Sequence, residues 1–308
     1  MNQASPSRPP LAPGATVGLI GLGAMGRGVA SNLLAKGFKV LGRDVNPEAV
    51  TWLQSQGGEA GGTPEAMGKA CDIVISFVVN DAQTEDVLFG AAGLAAHLRP
   101  GTIVVACSTL SPSYVKTVAG RLAKTQVDLL DAPVSGGRAG AQKGSLTVMI
   151  GGDPAVLEAA RPVLATFGGK LFHLGAEPGS GAQMKVINQL MCGVHIAVAG
   201  EAMAMASRHG LPLDTTLEIL CSGAAGSWML ADRGPRMVNE GFDDVASAVD
   251  IFVKDLGLVL QAAQQIGQPT PLAQTAYDAF VKASNAGLGK KDDSAVMLTY
   301  PTGRPAEK

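Results

Sequence analysis

Three sets of residues in the 308-residue chain combine types and spacings that can do chemistry. The first is Gly21-Leu22-Gly23-Ala24-Met25-Gly26, a glycine-rich loop behind the apolar run Thr16–Ile20 and ahead of a helical stretch. In a strand–loop–helix setting the first glycine permits a tight turn and the second lets backbone approach a pyrophosphate. The third lets helix and strand pack closely. The helix start then offers N–H groups to phosphate oxygens. Asp44, 18 residues beyond Gly26, ends the next strand at a spacing that suits a carboxylate reaching a ribose 2′-hydroxyl. A carboxylate there would repel a 2′-phosphate, so the expected cofactor is NAD. Arg43 beside it is able to accept that phosphate and keeps NADP open. The closest approach to a P-loop, Gly62 to Ala70, has one residue too many and no hydroxyl after its lysine, so an NTPase is not expected. Two further strand ends, Val78-Val79-Asn80 and Cys107-Ser108-Thr109, suit either cofactor contacts or plain loops.

The second set is Lys185 and Asn188, three apart on a long helical stretch and so on one face. A lysine beside a carboxamide can take a proton from a hydroxyl or return one to an alkoxide. Burial would disfavour its charged form and poise it for that transfer. A solvated helix lysine is the plainer alternative. His195 lies about 15 Å farther along the helix at ~1.5 Å per residue, too far to partner Lys185. It suits a packed core position, or contact with a substrate or another subunit. The third set is the glycine-dense stretch Asp131 to Gly140, where Ser135 and the N–H groups of Gly136 and Gly137 form either an anion nest for a carboxylate or a wide turn. Lys254 and Asp255 are adjacent, and an i, i+1 pair on a helix is expected to serve different partners. Neither a Ser/His/Asp triad nor a metal-ligand spacing can be assembled.

These residues need elements to hold them. Short apolar runs at 16–20, 39–43, 73–79, 102–107, 127–130, 146–150 and 171–173 alternate with helical stretches, as in a doubly wound parallel sheet. Beyond Gly179-Ser180-Gly181 the pattern turns helical: 182–208, 214–221, 228–239, 249–265 and 271–284. The expected organisation is a flexible tail at 1–14, a Rossmann-type α/β domain at 15–178, an all-α domain at 179–300 that begins with the long helix, and a loose tail at 301–308.

Glycine makes up 40 residues, roughly twice the usual ~7% share. With 46% apolar residues and a net charge of −2, general disorder is excluded and nucleic-acid binding is not expected. The one charge-free stretch longer than ~18 residues, Leu256–Tyr277, carries five Gln and two Pro, which argues against a membrane span. The four cysteines are scattered and no signal peptide is visible, so a cytoplasmic location is expected.

Four motifs occur in order: GLGAMG at 21–26, DAPVSGGRAGAQKGSLTVMIGG at 131–152, GSGAQMKVINQ at 179–189 and KDLGL at 254–258. From about Thr16 to Val296 the chain resembles the β-hydroxyacid dehydrogenase family related to 3-hydroxyisobutyrate dehydrogenase. The resemblance implies a Rossmann-type domain joined by a long helix to an all-α domain, with the active site in the cleft. It implies Lys185 as catalytic acid/base assisted by Asn188, and Ser135, Gly136 and Gly137 as holders of the substrate carboxylate. Val79, Asn80 and Thr109 become cofactor contacts, Lys254 lies beside the nicotinamide, and Asp255 lies near Lys185. Trp228 and Phe252 are candidates for the substrate-selecting wall. Gly193–Ala197, Gly226–Met229, SAVDIFVKDLGLV and Asn285–Ala295 are most similar to the four-carbon sugar-acid branch. The implied reaction is therefore NAD-dependent oxidation of L-threonate at C2, giving 2-dehydro-L-erythronate. Tartronate semialdehyde reduction and 3-hydroxyisobutyrate oxidation are alternatives for the same lysine and nest. A non-catalytic cofactor-binding scaffold is the alternative of another class, disfavoured by the presence of Lys185. Gln189 stands where many relatives have a second Asn, and His195 where many have Asn. The family also implies a homodimer or homotetramer.

Overall fold

Strands that are apolar at consecutive positions must be covered on both faces, and the first half of the chain solves this with a mostly parallel sheet. The computed structural model describes residues 8–302. It divides into two compact units that meet in sequence between Lys185 and Val186. The first unit holds β1 (Thr16–Ile20), β2 (Lys39–Arg43), β3 (Glu59–Ala60), β4 (Ile73–Ser76), β5 (Ile103–Ala106), β6 (Asp128–Asp131), β7 (Val134–Ser135), β8 (Leu146–Gly151) and β9 (Gly168–Gly175). Their order is β3-β2-β1-β4-β5-β6-β8-β7, with β9 on β8. Pairs from β3 through β6 are parallel, β8 runs antiparallel to β6 and β7, and β9 is parallel to β8.

Alternate residues of the central strands feed two separate cores. Ile73, Ile75, Ile103, Val105 and Leu130 pack with Val29, Ala30 and Leu33 of α1 (Ala24–Ala35) on one side. Val74, Val104, Ala106 and Leu129 pack with Val115, Val118 and Leu122 of α5 (Pro112–Ala123) on the other. The remaining helices of this unit are α2 (Pro47–Ser55), α3 (Pro64–Ala70), α4 (Asp81–Phe89), α6 (Gly137–Lys143) and α7 (Pro154–Leu164).

The short strands β3 and β7 are not anticipated by the sequence, because two-residue strands carry no periodicity to read. The expectation of a flexible 1–14 tail fails for residues 8–14. Arg8 pairs with Asp128 at 2.8 Å, the Leu11 N–H donates to Ala159 O and the Gly14 N–H to Gly37 O. Residues 1–7 and 303–308, also assigned to tails, lie outside the described residues.

From α8 (Ser180–Arg208) onward the elements are helices: α9 (Leu213–Ser222), α10 (Trp228–Asn239), α11 (Val249–Gln265) and α12 (Pro271–Ala283), then a π turn at 284–288 and a 3-10 turn at 293–299. These bounds match the sequence reading within two residues. Phe252, Phe280, Leu256, Ile196 and Met203 centre the core of the second unit. The charge-free stretch Leu256–Tyr277 is no single helix, since it is broken between α11 and α12 around Pro269 and Pro271. Among the described residues one helix, α8, is long and apolar enough to cross a membrane by length and composition, and half of that stretch is buried within the protein.

Candidate dinucleotide and substrate site

The glycine loop follows β1, which lies between β2 and β4 where the strand order reverses, the usual place for a ligand on such a sheet. Its three glycines answer to different demands. Gly21 has φ +90°, and a Cβ there would meet the Phe77 carbonyl oxygen at 2.7 Å, because the end of β4 passes against it. A Cβ on Gly26 would sit 1.9 Å from the Gly21 carbonyl oxygen. Gly23 has an ordinary φ of −69°, and a Cβ on it would meet nothing within 4 Å. The fold explains the first and third glycines; only a group arriving from outside requires the second to be bare.

The helix starts tell the same story. Among the described residues, seven α-helices lie wholly in the first unit, and five begin on a side-chain cap: Asn46, Thr63, Asn80, Ser111 and Asp153. The other two, α1 and α6, begin on Gly23 and Gly136 with no side-chain cap. Uncapped N–H groups at an α-helix start attract an anion. Asp44 closes the mouth of the loop: Oδ2 accepts from the Leu22 N–H at 2.6 Å and Oδ1 from the Asn46 N–H at 2.8 Å. These residues fit a dinucleotide, with the pyrophosphate over Gly23 and the first turn of α1, and a ribose at Asp44.

Val79 and Asn80 are both pinned by Gln83, one by its side chain and the other by its backbone. The Val79 N–H donates to Gln83 Oε1, and Asn80 Oδ1 accepts from the Gln83 N–H, both at 2.8 Å. Asn80 is thus a helix cap, and Val79 is left 43% exposed at the strand end. Thr109 lies half-buried beyond β5.

Ser135 belongs to β7, where it pairs with Thr147 of β8, so an edge strand rather than a wide turn carries it. Gly136 at φ +129° and Gly137 at φ +61° then turn the chain into α6, positions that glycine alone adopts easily. The same segment begins with a residue that sequence reasoning missed. Asp131, 1% exposed at the end of β6, accepts through Oδ2 from the Gly179 N–H at 2.8 Å and the Ala182 N–H at 2.9 Å. Burial pushes its carboxyl up to about 6, while the Ala182, Gly179 and Gly181 N–H groups pull it back. One carboxylate therefore joins the Ser135–Gly137 segment to the start of α8. Lys185, three residues past Ala182, is 8% exposed, so it is not the solvated helix lysine. Ser180 donates its hydroxyl to Glu177 O, leaving the helix start to a distant acid that chain spacing does not reveal.

In the helical unit, Asn188 donates from Nδ2 to Gln189 Oε1 at 2.9 Å, and Gln189 Nε2 donates to Asp255 Oδ2. Lys254 Nζ meets Asp255 Oδ1 at 2.7 Å, which corrects the expectation that the adjacent pair serves different partners. Backbone spacing separates the two Cβ atoms, but the four-carbon lysine stem curls back to its neighbour. Phe252 is also corrected as a substrate wall. It is 3% exposed and stacks on Phe280 with centroids 5.2 Å apart, in the core of its own unit. Trp228 opens α10 behind the Ser227 cap and is 58% exposed; His195 is half-buried.

Comparison with known proteins agrees with this architecture. Residues 16–175 match the NAD binding domain of 6-phosphogluconate dehydrogenase, and residues 179–300 match the NAD-binding domain of NADP-dependent 3-hydroxyisobutyrate dehydrogenase. The chain is 45% identical to an L-threonate dehydrogenase of Cupriavidus necator over 92% of its length and 96% of the relative's. An Escherichia coli protein of the same name is also 45% identical, over 92% of this chain and 94% of that one. A crystal structure of 3-hydroxyisobutyrate dehydrogenase from Salmonella typhimurium superposes with a TM-score of 0.88 at 41% identity, covering 93% of this chain and 100% of that one. With a glycine loop after β1 that fits a dinucleotide and family matches across both units, the chain is an NAD-dependent member of the β-hydroxyacid dehydrogenase family related to 3-hydroxyisobutyrate dehydrogenase.

Proposed function

We propose that the protein oxidises L-threonate at C2 to 2-dehydro-L-erythronate, using NAD in preference to NADP. The observation that carries this reading is 43–45% identity to five L-threonate dehydrogenases over 92% of the chain. NAD, when bound, supplies the hydride acceptor. Gly21–Gly26 hold the pyrophosphate, Asp44 the adenosine ribose, and Val79, Asn80, Thr109 and Lys254 make further cofactor contacts. Ser135, Gly136 and Gly137 orient the substrate carboxylate and Trp228 contributes to the substrate wall. Lys185 takes the hydroxyl proton, with Asn188 one turn away on α8 to hold the substrate. The buried position of Lys185 supports that role over that of a solvated surface lysine. The preference for NAD rests on Asp44, whose carboxylate would stand against a 2′-phosphate.

The proposed domains are 15–178 and 179–300, which keep α8 whole at the start of the helical one. The reading extends to a cytoplasmic homodimer or homotetramer. Four cysteines outside any disulfide support the compartment, and an exposed apolar row on α8 supports assembly. Reduction of tartronate semialdehyde and oxidation of 3-hydroxyisobutyrate use the same lysine and nest. NADH absorbance with a hydroxy-acid panel separates the three. Turnover of L-threonate well above 3-hydroxyisobutyrate is expected, and the reverse order overturns the substrate. Lys185→Ala should lower kcat by about 10²-fold or more, and a loss below tenfold removes the lysine as acid/base.

A further inference from the structure

Side chains in the helical unit form a line of hydrogen bonds with a built-in direction. Asp255 on α11, 2% exposed, meets Lys254 Nζ through Oδ1 and accepts from Gln189 Nε2 through Oδ2. A carboxylate paired with a lysine only accepts. Gln189, 6% exposed, must therefore turn its NH₂ toward Asp255 and its carbonyl the other way. That carbonyl accepts from Asn188 Nδ2 at 2.9 Å, and the same nitrogen lies 3.2 Å from Cys192 Sγ. The charge on Asp255 thus dictates the orientation of two successive amides. Both donor hydrogens of Asn188 are committed to Gln189 and Cys192, so what it offers a ligand is its acceptor, Oδ1.

We propose that Gln189 is a positioning residue that fixes Asn188 as a hydrogen-bond acceptor for a second substrate hydroxyl, making the enzyme selective for polyhydroxy acids. This rests on the reading that the chain oxidises L-threonate with Asn188 in the substrate site. A fixed carbonyl discriminates because a substrate without the hydroxyl buries it without a partner. A freely rotating amide would not, since it could present NH₂ or C=O at need. Gln189 is the link that sets the polarity: an apolar side chain of its size removes the donor to Asp255 and the acceptor for Asn188 together.

The test is steady-state kinetics with NAD on L-threonate and on 2,4-dihydroxybutanoate, which lacks the C3 hydroxyl. The wild type should favour L-threonate by about tenfold or more in kcat/KM. Gln189→Met should raise KM for L-threonate by about tenfold with kcat within about threefold, and leave 2,4-dihydroxybutanoate and the KM for NAD nearly unchanged. Calorimetric binding of L-threonate to the NADH-loaded enzyme should weaken by the same factor. Gln189→Glu supplies an isosteric second variant, which decides the matter should the Met variant fail to fold. Its titratable neighbours are Asp255 and Lys254 on α11 and Cys192 and Lys185 on α8. Two buried carboxyls side by side share one proton. At low pH that proton replaces the Gln189 donor, so selectivity should approach wild type there and decline as pH rises. A merely structural role would affect both substrates alike and show no such pH dependence, and either result overturns the proposal. Retained preference in Gln189→Met with an active wild type overturns it while leaving the substrate reading intact. A wild type that turns over 3-hydroxyisobutyrate but not L-threonate overturns both.

Discussion

Two glycines three residues apart should respond oppositely to the same substitution. Gly23→Ala meets no atom of the protein and no backbone strain, so it should fold with an unchanged melting temperature. The added methyl would stand where the pyrophosphate approaches, and NAD affinity measured by calorimetry should drop by about tenfold or more. Gly26→Ala drives a methyl into the Gly21 carbonyl, so its first symptom should be lost stability. Loss of stability in Gly23→Ala would mean that its bareness serves the fold. Asp44→Asn keeps an acceptor for Leu22 and removes the charge facing a 2′-phosphate. The ratio of kcat/KM for NADP to that for NAD should rise by about tenfold, and an unchanged ratio would remove Asp44 as the discriminator.

At the level of elements, β6 and α8 are coupled through Asp131. Its carboxyl lies near 6 in the folded state, above its ordinary value of 3.8 because it is buried. A group raised in this way contributes stability that is fully present below about pH 4 and lost as pH rises through about 6. The loss is at most about 3 kcal/mol, two units at ~1.4 kcal/mol each. Melting temperatures from pH 4 to 7 should therefore fall more steeply in wild type than in Asp131→Asn, and equal slopes would show that Asp131 is not the group titrating. Farther along, Arg233 of α10 forks onto Asp293, with both bonds at 2.9 Å, and Asp293 is fully buried. Arg233→Met should cost about 3–5 kcal/mol in urea unfolding, because it strands a buried charge. The bounds of the helices in the second unit were legible in the sequence, since capped starts such as Ser227 before Trp228 are local signals. The Gly21–Gly26 loop was legible for the same reason. Asp131, Gln189 and the Lys254–Asp255 contact were not, because each depends on a partner or a side-chain path that spacing along the chain does not encode. Phe252 was misread because an aromatic beside a motif looks identical whether it faces a ligand or a core.

For the molecule as a whole, Ile187, Met191, Val198 and Met205 repeat at steps of four and seven along α8 and are 49–62% exposed. Such a row suits packing against the same helix of a second copy. Light scattering should give a mass of two or four chains, and the double variant Met191→Glu/Val198→Glu should shift it toward one. A monomeric wild type would remove this face from the assembly. The two helix starts that lack side-chain caps carry a different consequence. No side-chain cap serves these starts, so part of the free energy that finishes the fold arrives with the anionic groups that dock there. Ligand at a hundred times its Kd adds about 2.7 kcal/mol to stability. Purified protein stored without nucleotide should be a shorter-lived object than the same chain in a cell, and protease digestion should become slower as NAD is titrated in. Bound cofactor is then a stabiliser as well as a reactant, and the lifetime of the fold should lengthen with the nucleotide concentration around it.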